Sequence, residues 1–242
     1  MKMGLYLSGQ GRSLNFKSFL LSLLDFCFPP YCLFCGRPAK DILCPSCRER
    51  LVFLGAACPV CARPYQGEDD AHLCQDCIQG PRPFQRVFAP FRYQGPLAKA
   101  ISQLKYEGKL WLARPLGRLW PKTMPLPSFD LVIPVPLHRR RLLTRGFNQS
   151  LLLAQKIFGR SLVKPWLERI RDTRPQVGLS LKARAQNVRR AFALAQGVSV
   201  SEKRVLLFDD VMTTGATVEE CAKVLKASGT KEIYVAVLAR AG

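Results

Sequence analysis

Val205-Leu206-Leu207-Phe208-Asp209-Asp210-Val211-Met212-Thr213-Thr214-Gly215-Ala216-Thr217 decides how this chain is read. Four apolar residues in a row suit a strand covered on both faces, as in a parallel sheet flanked by helices. Two carboxylates follow, then a turn rich in hydroxyls, and the helical pattern of residues 216–228 begins at once. Backbone N–H groups at a helix start attract a phosphate, and the Thr hydroxyls add donors at short range. Gly215 lets the backbone come close with no Cβ in the way. Asp209 and Asp210 would repel a phosphate but suit vicinal hydroxyls. A ribose 5-phosphate carries both kinds of group about 5 Å apart, from ordinary bond lengths. An acidic turn that merely caps a helix explains one Asp or one Thr, but not both carboxylates with three threonines. A Walker phosphate loop would place Lys after the glycine, where Ala216 stands.

Outward from this stretch, strands alternate with helices. Residues 86–93 alternate as a strand, with Val87, Ala89, Phe91 and Tyr93 on one face, and Gly95-Pro96 opens a helix to Tyr106. Residues 110–120 read as a further helix and 121–128 as a proline-rich loop. Residues 129–135 read as a buried strand, 145–160 as a helix and 233–238 as another strand. This alternation predicts an α/β fold, a parallel sheet with crossover helices. Ligands bind such sheets at the carboxyl ends of the strands, where residues 134–148 and 209–217 form the loops.

The net charge of +20 is unevenly placed. Residues 1–80 carry 8 Lys and Arg against 7 Asp and Glu, whereas residues 139–190 carry 14 against 2. A block of this size favours a polyanionic partner over a merely solvated face: phosphates, nucleic acid or an acidic membrane surface.

Eight of the ten cysteines fall in four C-x-x-C pairs: Cys32/Cys35, Cys44/Cys47, Cys58/Cys61 and Cys74/Cys77. Each pair puts two thiolates on one side of a tight knuckle, within reach of one tetrahedral Zn²⁺. Four knuckles imply two structural zinc ions, paired sequentially by default, with an interleaved pairing also open. A disulfide framework would need an export signal, and a redox C-x-x-C would open a helix after a strand. Neither context is present. His72 would be a surplus ligand and reads as surface, and Cys221 as an ordinary buried thiol.

Near the N-terminus, residues 19–24 form a short apolar run that Asp25 interrupts and Pro29-Pro30 ends. That suits neither a signal peptide nor a membrane span and predicts an amphipathic helix packed on the body. The expected organisation is a flexible leader over 1–17, this helix with a cysteine-rich module over 18–80, and the α/β domain over 81–242. A cytoplasmic location is expected.

The 205–217 stretch resembles the phosphoribosyl pyrophosphate motif of type I phosphoribosyltransferases. That resemblance implies that Asp209 and Asp210, the catalytic pair, hold the ribose 2′- and 3′-hydroxyls. Val211, Met212, Thr213, Thr214, Gly215, Ala216 and Thr217 complete the pocket, with Thr213 to Thr217 around the 5′-phosphate. Further segments resemble the ComF family of competence proteins: Pro134-Val135-Pro136-Leu137-His138-Arg139-Arg140-Arg141, Arg145-Gly146-Phe147-Asn148-Gln149-Ser150, Leu104-Lys105-Tyr106-Glu107-Gly108, Arg174-Pro175-Gln176, and Arg184 with Asn187-Val188. Pro175 departs from the family, which usually has another residue there. The resemblance implies a double zinc ribbon before a type I phosphoribosyltransferase-like sheet, with a hood over residues 168–187. His138, Arg139, Arg140, Arg141, Arg145, Asn148, Gln149 and Arg184 would meet a pyrophosphate or a DNA backbone. Mg²⁺ would accompany the pyrophosphate. It implies single-stranded DNA as a partner, with a helicase or other DNA-processing protein docking on the zinc module. Phe147, His138 or Trp166 could stack on bases, although Trp166 reads rather as core. The other activity implied is phosphoribosyl transfer to an acceptor.

Overall fold

The computed structural model describes residues 31–65, 71–173 and 181–242; the side chains of Leu181, Lys182, Arg184 and Ala185 fall outside the description. The helix expected over 18–30 and residues 174–180 of the expected hood lie outside the described residues.

The cysteine-rich module contains two copies of one small device. In the first, Cys32 N donates to Arg37 O (2.8 Å) and Gly36 N to Cys32 O (2.9 Å). Tyr31 bridges Pro38, and the short helix α1 (Pro45–Glu49) starts from Cys44. In the second, Cys58 N donates to Arg63 O and Ala62 N to Cys58 O, both at 2.9 Å. Ala57 bridges Pro64, and α2 (Gln75–Gln79) starts from Cys74. The residue closing each knuckle needs a left-handed backbone. Gly36 supplies it at φ 69°, and Ala62 adopts it at φ 54° despite its Cβ.

The remainder is one parallel sheet with helices on both faces. After β1 (Arg86–Phe88) and β2 (Phe91–Arg92) come α3 (Gly95–Tyr106), a 3₁₀ turn (Leu110–Leu112), α4 (Ala113–Arg118) and β3 (Leu131–Pro134). There follow α5 (Arg139–Arg145), α6 (Gln149–Phe158), β4 (Leu167–Arg169), α7 (Leu181–Val188) and β5 (Phe192–Leu194). The chain ends with β6 (Arg204–Met212), α8 (Ala216–Ala227) and β7 (Glu232–Arg240). The strand order is β1-β7-β6-β3, with β2 also pairing β7, and every pairing in this sheet is parallel. β4 and β5 form a separate antiparallel pair. Period-two alternation divides the core. Leu206, Phe208, Ala236 and Leu238 face a cluster that includes α3, α4 and α6. Val205, Leu207, Val235 and Val237 face one that includes α8.

The two ribbons join this sheet differently. Cys32, Leu33, Leu43, Cys47 and Leu51 belong to the first core cluster. Ala62 belongs to the second, while Cys58, Cys61 and Cys74 make a small cluster of their own.

Two expectations about elements are corrected. The strand over 86–93 is broken, because Pro90 has no N–H to give a ladder; its carbonyl accepts instead from Leu54 N (3.0 Å). The single helix over 145–160 is two helices. Gly146 takes φ 79° and closes α5, its N–H donating to Leu142 O. Asn148 then opens α6, its side chain accepting from Ser150 N (2.9 Å) and Leu151 N (3.2 Å).

Candidate functional site

β6 runs four residues beyond its apolar core, so Asp209 and Asp210 are strand residues rather than loop residues. They stand at its carboxyl end, and α6 is aimed at them. Asn148 fixes this approach, since its Nδ2 donates to Val135 O (3.0 Å) just past β3 while its oxygen caps α6. Ser150 Oγ then donates to Asp209 Oδ1 (2.7 Å), and Gln149 Nε2 lies 3.4 Å from Asp210 Oδ1. From α3, Lys105 Nζ reaches Asp210 Oδ2 at 2.5 Å. Burial and the neighbouring Asp210 push the Asp209 carboxyl up to about 7. Burial alone would lower Lys105, but Asp210 and Asp209 outweigh it and hold the ammonium above its ordinary value.

Downstream of the pair the chain turns through Thr213 and Thr214 into α8, with Gly215 as its N-cap at φ 89°. The backbone angle favours glycine here; a Cβ would stand 2.5 Å from Met212 Cε, the flexible end of a side chain that would have to shift. Thr214 Oγ1 accepts from Ala216 N (3.3 Å). These residues floor a cleft of about 480 Å³, and all nine residues from Asp209 to Thr217 line it. Its walls bring Tyr93, Lys105, Tyr106, Arg141, Arg145 and Arg169 around the carboxylates. Four cations thus face two carboxylates, a balance that favours an anion bearing hydroxyls.

The basic segment is sorted by the helix it forms. Successive residues on a helix point about 100° apart, so a run of three arginines cannot face one ligand together. Of Arg139, Arg140 and Arg141, only Arg141 lines the cleft, its Nη2 held by Thr173 O (2.9 Å). Arg139 is exposed, and Arg140 pairs with Asp172 (3.0 Å) on the outside. His138 caps α5, its Nδ1 accepting from Arg140 N (3.4 Å), and does not line the cleft. Arg145 lines it, donating to Gln149 Oε1 (2.6 Å), with its guanidinium 5.3 Å from the Tyr106 ring centre. Arg184 lies in α7, with its side chain outside the described residues. Phe147 packs against the first core cluster and Trp166 against the second.

Lys105 and Arg169 carry a signal that sequence reading passed over. Lys105 follows the buried face of α3, next to Leu104. Arg169 shares a strand face with buried Leu167 and is itself buried. A cation at an apolar position of a periodic pattern marks a group with a task inside. Burial lowers the Arg169 pKa, and its Nε makes no hydrogen bond.

The cysteines gather into two tetrads in sequential order, Cys32/Cys35/Cys44/Cys47 and Cys58/Cys61/Cys74/Cys77, each with its sulfurs within 4.8 Å of one another. This resolves the pairing left open by spacing alone. Burial works against ionisation of Cys32 and Cys58, but N–H donors of their knuckles and of Cys44 and Cys74 outweigh it and bring each thiol down to about 6. Burial and the neighbouring sulfurs push Cys47 up to about 12. Four thiolates this close need a cation, and a donor set of four sulfurs with no open position fits structural zinc. His72 lies outside both sets and stacks on Tyr65, ring centres 4.1 Å apart. Cys221 is buried in α8.

Comparison with known proteins agrees with this architecture. The double zinc ribbon domain matches residues 23–78, and the phosphoribosyl transferase domain matches residues 174–242. The chain is 36% identical to competence protein F of Haemophilus influenzae, over 84% of this chain and 92% of that one. It is 34% identical to the DNA utilization protein YhgH of Escherichia coli K12, over 88% and 97%. Competence protein ComFC of Bacillus subtilis is 26% identical over 81% and 82%. A double zinc ribbon running into a phosphoribosyltransferase fold, with likeness to these proteins along nearly their whole length, means that the chain belongs to the ComF family of competence proteins.

Proposed function

We propose that the cleft holds a ribose 5-phosphate bearing a diphosphate, and that the protein uses this pocket in handling single-stranded DNA during uptake. The observation that carries the pocket is the order of groups along β6 and α8. Two carboxylates suited to vicinal hydroxyls are followed within a few residues by N–H and hydroxyl donors at a helix start. Arg141, Arg145 and Arg169 lie across from them, where a diphosphate would extend; guanidinium groups pair bidentately with such oxygens. Asp209 and Asp210 are the residues that would hold a Mg²⁺ entering with the ligand, and the ion would supply charge neutralisation for the diphosphate.

The names of the relatives supply the DNA, as competence and DNA-utilization proteins. A DNA strand has no vicinal hydroxyls for Asp209 and Asp210, so it would meet the cleft through its phosphates on Arg141, Arg145 and Arg169. Tyr106, well exposed on the wall, offers a ring for base stacking in place of Phe147 and Trp166. The thiolate tetrads fit a reducing compartment, the cytoplasm.

The test is anisotropy of a labelled single strand titrated with the full-length chain, with and without phosphoribosyl pyrophosphate and Mg²⁺. The strand should bind, weaken steeply as salt rises because neutralised phosphates release counterions, and be displaced by the small ligand. No strand binding at low salt, or affinity independent of salt, would overturn the DNA reading. A small ligand that binds while the strand does not would move the function to phosphoribosyl transfer.

A further inference from the structure

We infer that the second cysteine tetrad, through Arg240 and Arg82, positions the 212–217 turn, so that metal at this tetrad and ligand in the cleft are thermodynamically linked. Arg240 is 2% exposed, in register with Met212 across β6 and β7. Its Nε donates to the carbonyl of Cys61 (3.1 Å), a tetrad member, and its Nη1 to the carbonyl of Met212 (3.1 Å) and to that of Thr213. One planar guanidinium therefore bonds the metal knuckle and the turn at once. Lys carries its donors on one nitrogen and does not reproduce the separate Nε and Nη1 positions of this planar fork.

Arg82 makes a second link. Its Nε approaches Cys77 Sγ (3.5 Å), another tetrad member, and its Nη1 donates to Glu219 in the first turn of α8. Glu219 N in turn donates to Gly215 O (2.8 Å) at the helix start.

Charge explains why both links are arginines. Zn²⁺ with four thiolates carries two net negative charges. Among the described residues no carboxylate pairs with Arg240, and burying an unpaired cation is costly. The metal-loaded tetrad would supply the missing anion next to Arg240, and a second one beside Arg82, which already pairs with Glu219. Among the described residues no arginine bonds the first tetrad to the turn: Cys32, Cys44 and Cys47 pack with the cluster on the opposite face of the sheet, which Val211 also meets. Arg240 and Arg82 are positioning residues, since neither lines the cleft.

The consequence for binding rests on the phosphate-pocket reading, whereas the mechanical link does not. The first measurement is therefore amide exchange of residues 212–217 in the ligand-free full-length chain, with zinc content determined in parallel and β3 as internal control. Arg240→Lys should speed exchange of the turn about tenfold, the scale of one lost charge-assisted hydrogen bond, with β3 unchanged. Arg82→Gln should act in the same direction more weakly. Cys77→Ser, losing one zinc equivalent, should loosen the turn, and Cys35→Ser, losing the other, should not. Phosphoribosyl pyrophosphate affinity should fall in the same order. An unchanged turn in Cys77→Ser after zinc loss, or equal loosening in Cys35→Ser, overturns the link. Should Arg240→Lys fail to fold, the partly exposed Arg82→Gln decides by the same readout. Absence of ligand binding by the unmodified chain would sink the pocket reading and leave the exchange result to stand or fall alone.

Discussion

Around the first tetrad, Cys32 and Cys47 share one buried cluster with Leu97, Ile101 and Leu104 of α3 and Leu153 of α6. Around the second, Cys58, Cys61 and Cys74 keep a small cluster of their own with Val60 and Tyr65, tied to the sheet by Arg240, Arg82 and the bond from Val87 N to Val60 O (2.8 Å). The same knuckle-and-helix device is thus embedded once by apolar burial and once largely by directional polar bonds. Burial is non-directional and scales with area, so it secures the whole fold; hydrogen bonds fix particular atoms. The elements resting on the first tetrad carry Lys105 and Ser150, the partners of the carboxylates. The second tetrad holds the turn beyond them. Each ribbon supports one end of the cleft.

The largest effect should come from Cys47→Ser, which removes metal from inside the core. We expect a loss of about 4 kcal/mol or more in unfolding free energy, the scale for a lost structural metal. Cys77→Ser should cost about half as much and leave α3 and α6 protected, again on the scale of mutational losses at metal sites. Denaturant unfolding with zinc analysis checks both, and equal losses would break the comparison.

A second difference lies in pH dependence. An unfolded Asp ionises near pH 4, whereas half-buried Asp209 beside buried Asp210 ionises at about 7. Between those values the folded state holds the extra proton, so stability should fall as pH rises from about 4 to about 7 and then level off. Asp209→Asn should remove that contribution and gain stability at pH 8, because its side-chain oxygen can still accept from Ser150. Cys77→Ser should keep the slope, since Lys105 and Ser150 rest on the other ribbon. Thermal midpoints across pH 4–8 read this directly; a slope lost in Cys77→Ser would contradict the division.

Within the basic helix, Arg141→Gln should weaken phosphoribosyl pyrophosphate binding about tenfold, the scale of one charge-assisted bond, while Arg139→Gln leaves it unchanged. The smallest effects belong to the exposed ion pairs beside the tetrads, Arg48–Asp41 and Arg63–Asp76. Arg48→Gln and Arg63→Gln should leave the thermal midpoint within error, as solvated pairs usually do.

Much of this was legible in sequence because it rests on local pattern. The apolar run before Asp209 reads as a buried strand, and four C-x-x-C pairs read as metal knuckles. What was missed depends on distance along the chain. Lys105 meets Asp210 and Arg240 meets Cys61 only after the sheet is assembled. The break at Gly146 is a different failure. Its signals were present, a glycine stop followed by Asn148 as a cap, but the apolar period of 151–157 masked them. That break decides which arginine enters the cleft. The extension of β6 through Met212 was hidden because Asp is disfavoured in strands; here Ser150 and Lys105 satisfy the two carboxylates.

The most direct test of the central claim is calorimetric titration of the full-length chain with phosphoribosyl pyrophosphate and Mg²⁺, beside the variant carrying Asp209→Asn and Asp210→Asn. The account predicts one binding site in the unmodified chain. In the variant, affinity should fall about a hundredfold or more, the scale of two lost charge-assisted hydrogen bonds, with the fold retained. Equal affinity in both proteins, or none in the unmodified one, would contradict it.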